Sequence, residues 1–114
     1  MAGIGGNTIA EIQVKTITKN PIGEAEESWR TVQAIKGFLD FSGGESRYET
    51  YNAKIEESDH IFISDYVPLE SSINPKTSRM VIRGIVYDVS LIDNPMGMNR
   101  QWEFYLKAVG VLYG

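Results

Sequence analysis

The sequence contains no cysteine, so it can form neither disulfide bonds nor thiolate metal sites. Histidine is nearly absent too, because His60 is the only one. A zinc site needs several clustered nitrogen, sulfur or oxygen ligands, and hydrolytic catalysis needs a nucleophile, a base and an orienting group in one place. One isolated histidine supplies neither set. We therefore expect His60 to have a structural role, and the chain to be neither an enzyme nor a cofactor-binding protein.

Long apolar runs are missing as well. No stretch approaches the roughly 18 apolar residues that a membrane-spanning helix requires. The N-terminus lacks the basic and apolar regions of a signal peptide, and its glycines predict a flexible arm over residues 1–8. Basic charge is scarce: 11 Lys and Arg stand against 15 Asp and Glu, giving a net charge of −4. This balance argues against broad binding to a phosphate backbone, which needs clustered cations.

What the chain does have is enough apolar side chain for one core. Hydrophobic residues make up 42% of its 114 residues, which predicts a single domain over residues 9–114. Apolar and polar residues alternate with a period of two, the pattern of half-buried strands. Six such strands are predicted: Ile9–Thr18, Glu27–Phe41, Asp59–Tyr66, Arg79–Arg83, Ile85–Leu91 and Gln101–Ala108.

The connections carry strong local signals. Turn residues occupy Asn20–Gly23 and Asn94–Gly97, and Gly37 marks a possible bulge within the second strand. A capping box at Ser46–Glu49 predicts a short helix at about residues 47–57. The fold class is therefore mainly β: a small six-stranded antiparallel barrel or sandwich with one short helix and long loops. The predicted core consists of Ile12, Val14, Ile35, Ile61, Ile63, Tyr87, Val89, Leu91, Trp102, Phe104 and Leu106.

The order of segments resembles that of a known family. The segments concerned are Gly37–Gly44, Tyr51–Tyr66, Ser78–Val89, Asp93–Met96 and Gln101–Lys107. The most specific are Glu57–Tyr66 and Gly84–Val89 leading to Asp93. Over about residues 30–110 this series resembles the head-tail joining proteins, also called head-closure or stopper proteins, of tailed bacteriophages and of prophages of Gram-positive bacteria.

The resemblance implies a structural role and its partners. Such proteins form a homo-oligomeric ring below the portal and adaptor rings, close the DNA-filled head and give the tail a docking surface. Double-stranded DNA passes through the channel without sequence-specific binding. The implied location is the head-tail junction of the virion, with the host cytoplasm before assembly and no membrane. On a ring of this kind, long polar loops are expected to become ordered against partners.

Two inserts map onto the loops that such a ring would use. The first, Ser42–Ser58, is a candidate for contacts between subunits or with the channel, through Gly43, Gly44, Glu45, Arg47, Tyr48 and Tyr51. The second, Val67–Ser78, is a candidate for contacts with a partner protein, through Leu69, Glu70, Asn74 and Lys76. Two alternatives stay open: a tail-terminator or other neck or tail ring protein, and a small β-barrel that binds single-stranded nucleic acid. The second alternative needs exposed aromatic residues in a basic groove, and no basic groove is evident in the sequence.

Overall fold

The computed structural model describes residues 8–41 and 58–111 and consists mainly of β-strands. All six predicted strands are present, and their ends differ from the predicted ones by a few residues. Their bounds are β1 Thr8–Lys19, β2 Ala25–Phe41, β3 His60–Asp65, β4 Ser78–Ile82, β5 Ile85–Asp93 and β6 Gln101–Val111. Within the described residues the only helical segment is a single 3-10 turn at Pro95–Gly97. The helix predicted at residues 47–57 lies outside the described residues.

The six strands form one antiparallel sheet that closes on itself in the order β1-β2-β3-β6-β5-β4. The mainly β prediction is therefore confirmed. Closure needs tight connections, and Arg83 and Gly84 provide one: both have positive φ, 53° and 80°, as a two-residue hairpin turn of type I′ demands. The predicted turns at Asn20–Gly23 and Asn94–Gly97 connect β1 to β2 and β5 to β6.

The core fills the inside of this closed sheet. It is built from inward-facing side chains of all six strands: Ala10, Ile12, Ile35, Phe62, Met80, Ile82, Tyr87, Val89, Phe104 and Leu106. Most of the predicted core is included. Leu91 is only half-buried, and Trp102 lies at the edge of the core, packed against it and partly exposed.

The predicted face of β3 is wrong. Ile61 and Ile63 are half-buried, whereas Phe62 and Ser64 are almost completely buried. Both faces of β3 carry apolar side chains, so alternation alone does not fix its orientation. Gly37 decides it, because β2 pairs Gly37 with Ser64 and a Cβ at Gly37 would lie 2.7 Å from the Phe62 ring. The absent side chain leaves the space that the Phe62 ring occupies.

Gly37 is consequently not a bulge. The irregularity in the β1–β2 pairing lies between Ile12, which pairs with Gln33, and Gln13, which pairs with Thr31. Val32 is the extra residue, and it reverses which residues of β2 face inward before and after it.

The closed sheet has two ends. At one end, called the loop end, lie the β1–β2 hairpin, the β3–β4 loop (residues 66–77) and the β5–β6 loop (residues 94–100). At the opposite end, called the insert end, lie Thr8, Phe41, Ser58 and the turn at Arg83 and Gly84. The two inserts predicted to contact partners therefore leave the barrel at opposite ends.

Candidate partner-binding loops

The β3–β4 loop carries the four candidate residues that the structure describes, and Gln33 of β2 holds it in place. The Gln33 side chain donates a hydrogen bond to the Pro68 carbonyl oxygen at 2.9 Å and accepts one from the Glu70 amide at 2.8 Å. These bonds replace the strand pairing that ends at Gly37, since β3 stops at Asp65. One glutamine thus joins the loop to the barrel wall where no backbone ladder does.

A tryptophan fixes the start of the same loop. The Trp102 Nε1 donates a hydrogen bond to the Val67 carbonyl oxygen at 2.7 Å. The Trp102 ring stacks on Tyr66, with ring centroids 4.9 Å apart and planes inclined by 23°. Leu69 and Ile73 of the loop pack against the core together with Val67. The loop therefore closes the loop end of the barrel with its own apolar side chains.

Local turns shape the exposed part of this loop. The Glu70 carboxylate accepts hydrogen bonds from the Ser72 amide, at 3.0 Å, and from the Ser72 hydroxyl, and these bonds lower the pKa of Glu70. The Asn74 side chain accepts a hydrogen bond from the Lys76 amide at 3.0 Å, and the Asn74 amide donates one to the Ser78 hydroxyl at 3.0 Å. Both are side-chain turns that polar residues form in loops.

The four candidate residues consequently differ in what they offer a partner. Leu69 is half-buried and packs against the core, so its role is to anchor the loop. Glu70, Asn74 and Lys76 are exposed. Hydrogen bonds and apolar contacts hold the loop against the barrel in the structure of the single chain. The ordering of polar inserts on binding to partners stays a prediction.

The β5–β6 loop is braced beside it. The Asn99 backbone amide donates a hydrogen bond to Asn94 Oδ1 at 3.0 Å, and Asn94 Nδ2 donates one to Asn99 Oδ1 at 2.8 Å. Met96 lies at the tip of this loop, 91% exposed. The loop end therefore presents two loops that are each held by side-chain hydrogen bonds.

The other candidate residues belong to the first insert. Gly43, Gly44, Glu45, Arg47, Tyr48 and Tyr51 all lie outside the described residues. The structure describes where the insert is attached: Phe41 pairs with His60 across β2 and β3. The eighteen residues between Phe41 and His60 therefore begin and end at neighbouring positions on the barrel.

His60 lies next to that attachment point. Its Nδ1 is 2.8 Å from the Asp59 carboxylate, and its ring packs edge-on against Tyr87 with centroids 5.2 Å apart. The Asp59 carboxylate also accepts a hydrogen bond from the Ala108 amide at 3.0 Å. Partial burial opposes ionisation of Asp59, but the bonds from His60 and Ala108 outweigh it and the pKa of Asp59 is lowered. The arrangement ties the start of β3 to β6.

The described residues hold neither a metal-ion cluster nor a membrane-spanning helix. Among residues 8–41 and 58–111, no group of three or more His, Asp or Glu side chains is placed to hold a metal ion. No helix in those ranges is long and apolar enough to cross a membrane.

The sequence did not predict that Gln33 and Trp102 position the β3–β4 loop. Trp102 was predicted to be core, which is partly right, but its hydrogen bond to Val67 was not foreseen. Gln33 occupies an ordinary polar position in an alternating strand and gave no signal. Its role depends on a loop that comes into contact with it 35 residues later in the chain.

A family model described as phage head completion protein matches residues 6–109, a range that includes β1 to β5, most of β6 and both inserts. No curated protein matches the chain.

Proposed function

The chain belongs to the phage head completion protein family, whose members are structural proteins of the virion, and from this we propose that it forms a ring below the portal and adaptor of the filled head. In this role the ring closes the head against loss of DNA and gives the tail its docking surface. Its partners are the portal or adaptor proteins on one side and tail proteins on the other. The family match over residues 6–109 is the observation that carries the proposal.

The placement of the loops supports such a position. A ring in a stack needs one surface for the layer above and another for the layer below. The first insert leaves the barrel at the insert end, while the β3–β4 and β5–β6 loops lie at the loop end. One subunit therefore has candidate contact loops at both ends of the barrel, which supports a position between head and tail.

The charge of the chain is compatible with a DNA channel. A ring through which DNA passes must not hold the phosphate backbone tightly, since each neutralised phosphate strengthens binding. With a net charge of −4, the chain provides no excess of cations for such binding. The single-stranded nucleic acid alternative gains no supporting observation, and the described aromatic pair Tyr66 and Trp102 is used to hold the β3–β4 loop.

Removal of the first insert tests which part of the chain does the work. Because Phe41 and His60 are paired, residues 42–58 can be replaced by Asn-Gly before Asp59, which gives a three-residue hairpin loop. We expect this variant to remain folded, as judged by circular dichroism, and to fail to join DNA-filled heads to tails in a complementation assay. Normal numbers of infectious particles would show that the insert is not the working part.

A further inference from the structure

The β1–β2 hairpin extends beyond the closed part of the sheet. β4 pairs with β1 only from Ala10 to Val14, and β3 pairs with β2 only from Gly37 to Phe41. Beyond those points β1 and β2 continue to pair with each other as far as Lys19 and Ala25. Within the described residues, the outer part of the hairpin therefore has strand neighbours on its inner sides only.

Both outer edges of this hairpin are consequently open in the isolated chain. The Lys15 amide makes the last bond from β1 toward β4, to the Thr77 carbonyl oxygen at 2.8 Å. The outer half of β1 is residues 16–19, and the facing half of β2 is residues 25–28. Closure of a sheet abolishes edges, so among the described residues the hairpin is a place where strand addition can occur.

The hairpin is rigid enough to be a template. Asn20 holds its turn: its side-chain oxygen accepts hydrogen bonds from the Ile22 amide at 3.1 Å and from the Glu24 amide at 2.9 Å. Thr16 and Ser28 join the two strands through their hydroxyl groups, 2.7 Å apart. Ile17, on the outer half of β1, is 67% exposed. An adjoining strand would cover this apolar side chain.

Charge is divided between the two edges. The outer half of β1 carries Lys19 and no acidic residue, with Lys15 immediately before it, whereas the outer half of β2 carries Glu26 and Glu27 and no basic residue. Like charges on directly opposed strands are unfavourable and opposite charges are favourable. Two copies that paired β1 with β1, or β2 with β2, would therefore repel each other. Pairing of β1 in one copy with β2 in the next would place lysines beside glutamates.

We propose that adjacent copies of this chain associate through this hairpin, with the lysine-bearing edge of β1 in one copy pairing antiparallel with the glutamate-bearing edge of β2 in the next. This inference rests on the ring of the proposed function and assigns the contact between its subunits. The two edges face away from each other across the hairpin, so the contact is head-to-tail. Contacts of that type repeat around a rotation axis and give a closed ring when the rotation between subunits divides a full turn.

The rotational symmetry of such a ring is compatible with antiparallel pairing between copies. If the rotation axis is parallel to the hairpin strands, every hairpin in the ring points in the same direction. β1 of one copy then runs opposite to β2 of the next, as the two strands do within each chain. The hairpins of the ring would form one continuous antiparallel sheet.

Charges on an edge strand can also serve only to prevent unwanted pairing. This protective role and the proposed contact predict different effects of charge reversal on self-association. A protective charge works with either sign, so reversing it leaves self-association unchanged. Complementary charges work only as a pair. Lys19 and Glu26 suit this test because both are exposed, whereas Lys15 also contacts Glu27 at 3.6 Å and the Trp29 ring.

The first experiment uses single cysteines, which are unambiguous because the chain has none of its own. Thr18→Cys on β1 and Ala25→Cys on β2 are made in separate chains and mixed in equal amounts. A short bis-maleimide is then applied to the concentrated protein and to DNA-filled heads that carry the two variants. We expect the mixed product, in which one Thr18→Cys chain is joined to one Ala25→Cys chain. Absence of any product from both preparations, or a predominance of products between two identical variants, would overturn the proposal.

The second experiment reverses the charges. Lys19→Glu alone and Glu26→Lys alone should each reduce the mixed product about five-fold, since each sets like charges in opposition. The double variant should recover the original yield. Lys107→Glu, an exposed change of the same kind on β6, serves as the control and should have no effect. Unchanged yields from both single variants would show that the charges only protect the edges, and would overturn the proposal.

The two cross-linking preparations, purified protein and DNA-filled heads, distinguish a failure of this inference from a failure of the proposed function on which it rests. If the chain is absent from the necks of phage particles, the proposed function fails, and the purified protein still reports whether the hairpins pair. If the chain is present in the necks but gives no mixed product, the ring is held together elsewhere and only the hairpin contact fails.

Discussion

Replacing Gln33 with methionine removes the two hydrogen bonds that fasten the β3–β4 loop to β2 and keeps a side chain of similar length. The bonds, 2.9 Å to the Pro68 oxygen and 2.8 Å from the Glu70 amide, are solvent-accessible. A hydrogen bond contributes about 0.5–1.5 kcal/mol net, so two such bonds in this setting contribute about 1–2 kcal/mol. This is small against a typical folding free energy of about 5–15 kcal/mol, and the barrel should stay folded.

The loop should respond more than the barrel. The Ile73 amide donates to the Glu70 carbonyl oxygen at 3.0 Å, a bond inside the loop that the substitution does not touch. If Gln33 holds the loop closed, hydrogen exchange at Ile73 should accelerate about 5- to 30-fold, the factor that corresponds to 1–2 kcal/mol. The Asp59 amide, bonded to the Leu106 carbonyl oxygen at 2.8 Å in the barrel, should exchange at its original rate.

Gln101→Met is the matched control for this substitution. Gln101 also lies at the loop end, but its amide bonds to the Glu103 side chain at 2.6 Å and not to the loop. This variant should leave exchange at Ile73 unchanged. If Gln33→Met also left it unchanged, or if the two variants accelerated it equally, Gln33 would not be the residue that preforms the loop.

Three further predictions concern the barrel. Phe62→Ala should lower the free energy of unfolding in urea by about 3–5 kcal/mol, and Ile63→Ala by clearly less, because only the Phe62 side chain is completely buried. A larger effect of Ile63→Ala would mean that β3 faces the other way. Gly37→Ala should lower the urea concentration at the unfolding midpoint, because the added Cβ would lie 2.7 Å from the Phe62 ring. Gly110→Ala is the control and should leave the midpoint unchanged, because the space around Gly110 is open. Equal effects of the two substitutions would refute the close approach at Gly37. The lowered pKa of Asp59 stabilises the fold at pH values above its unfolded value of 3.8, and this stabilisation is lost as pH falls through the lower folded value. Asp59→Asn should therefore reduce the loss of stability between about pH 5 and pH 2, and an identical acid profile in both proteins would contradict this.

The strands and turns were predictable because their signals are local. Alternation located all six strands, and asparagine, proline and glycine marked the turns at Asn20–Gly23 and Asn94–Gly97. The face of β3 was not predictable in this way. Its neighbours Ile61, Phe62 and Ile63 are all apolar, and the choice between them depends on Gly37, which lies opposite in another strand. That information is in the pairing and not in either segment alone.

The candidate surfaces show the same division. The exposure of Glu70, Asn74 and Lys76 was predictable because a long polar stretch between strands predicts a surface loop, and their contact with a partner stays a prediction. The role of Gln33 was not predictable, because a hydrogen bond between residues 35 positions apart leaves no local pattern. The separation of lysines and glutamates in the β1–β2 hairpin was visible in the sequence, but it gained meaning only when the pairing showed how far β1 and β2 extend beyond their neighbours.

We propose that this chain completes the phage head before the tail joins. The most direct measurement is in vitro complementation of a phage whose gene for this chain is disrupted. DNA-filled heads and free tails are purified from the mutant, and infectious particles are counted after addition of the purified protein. We predict that the mutant makes normal tails and unstable, DNA-leaking heads, and that prior incubation of the heads with the protein restores infectivity. Stable heads together with defective tails, repaired only when the protein is first incubated with the tails, would contradict the account and indicate a tail-terminator protein instead.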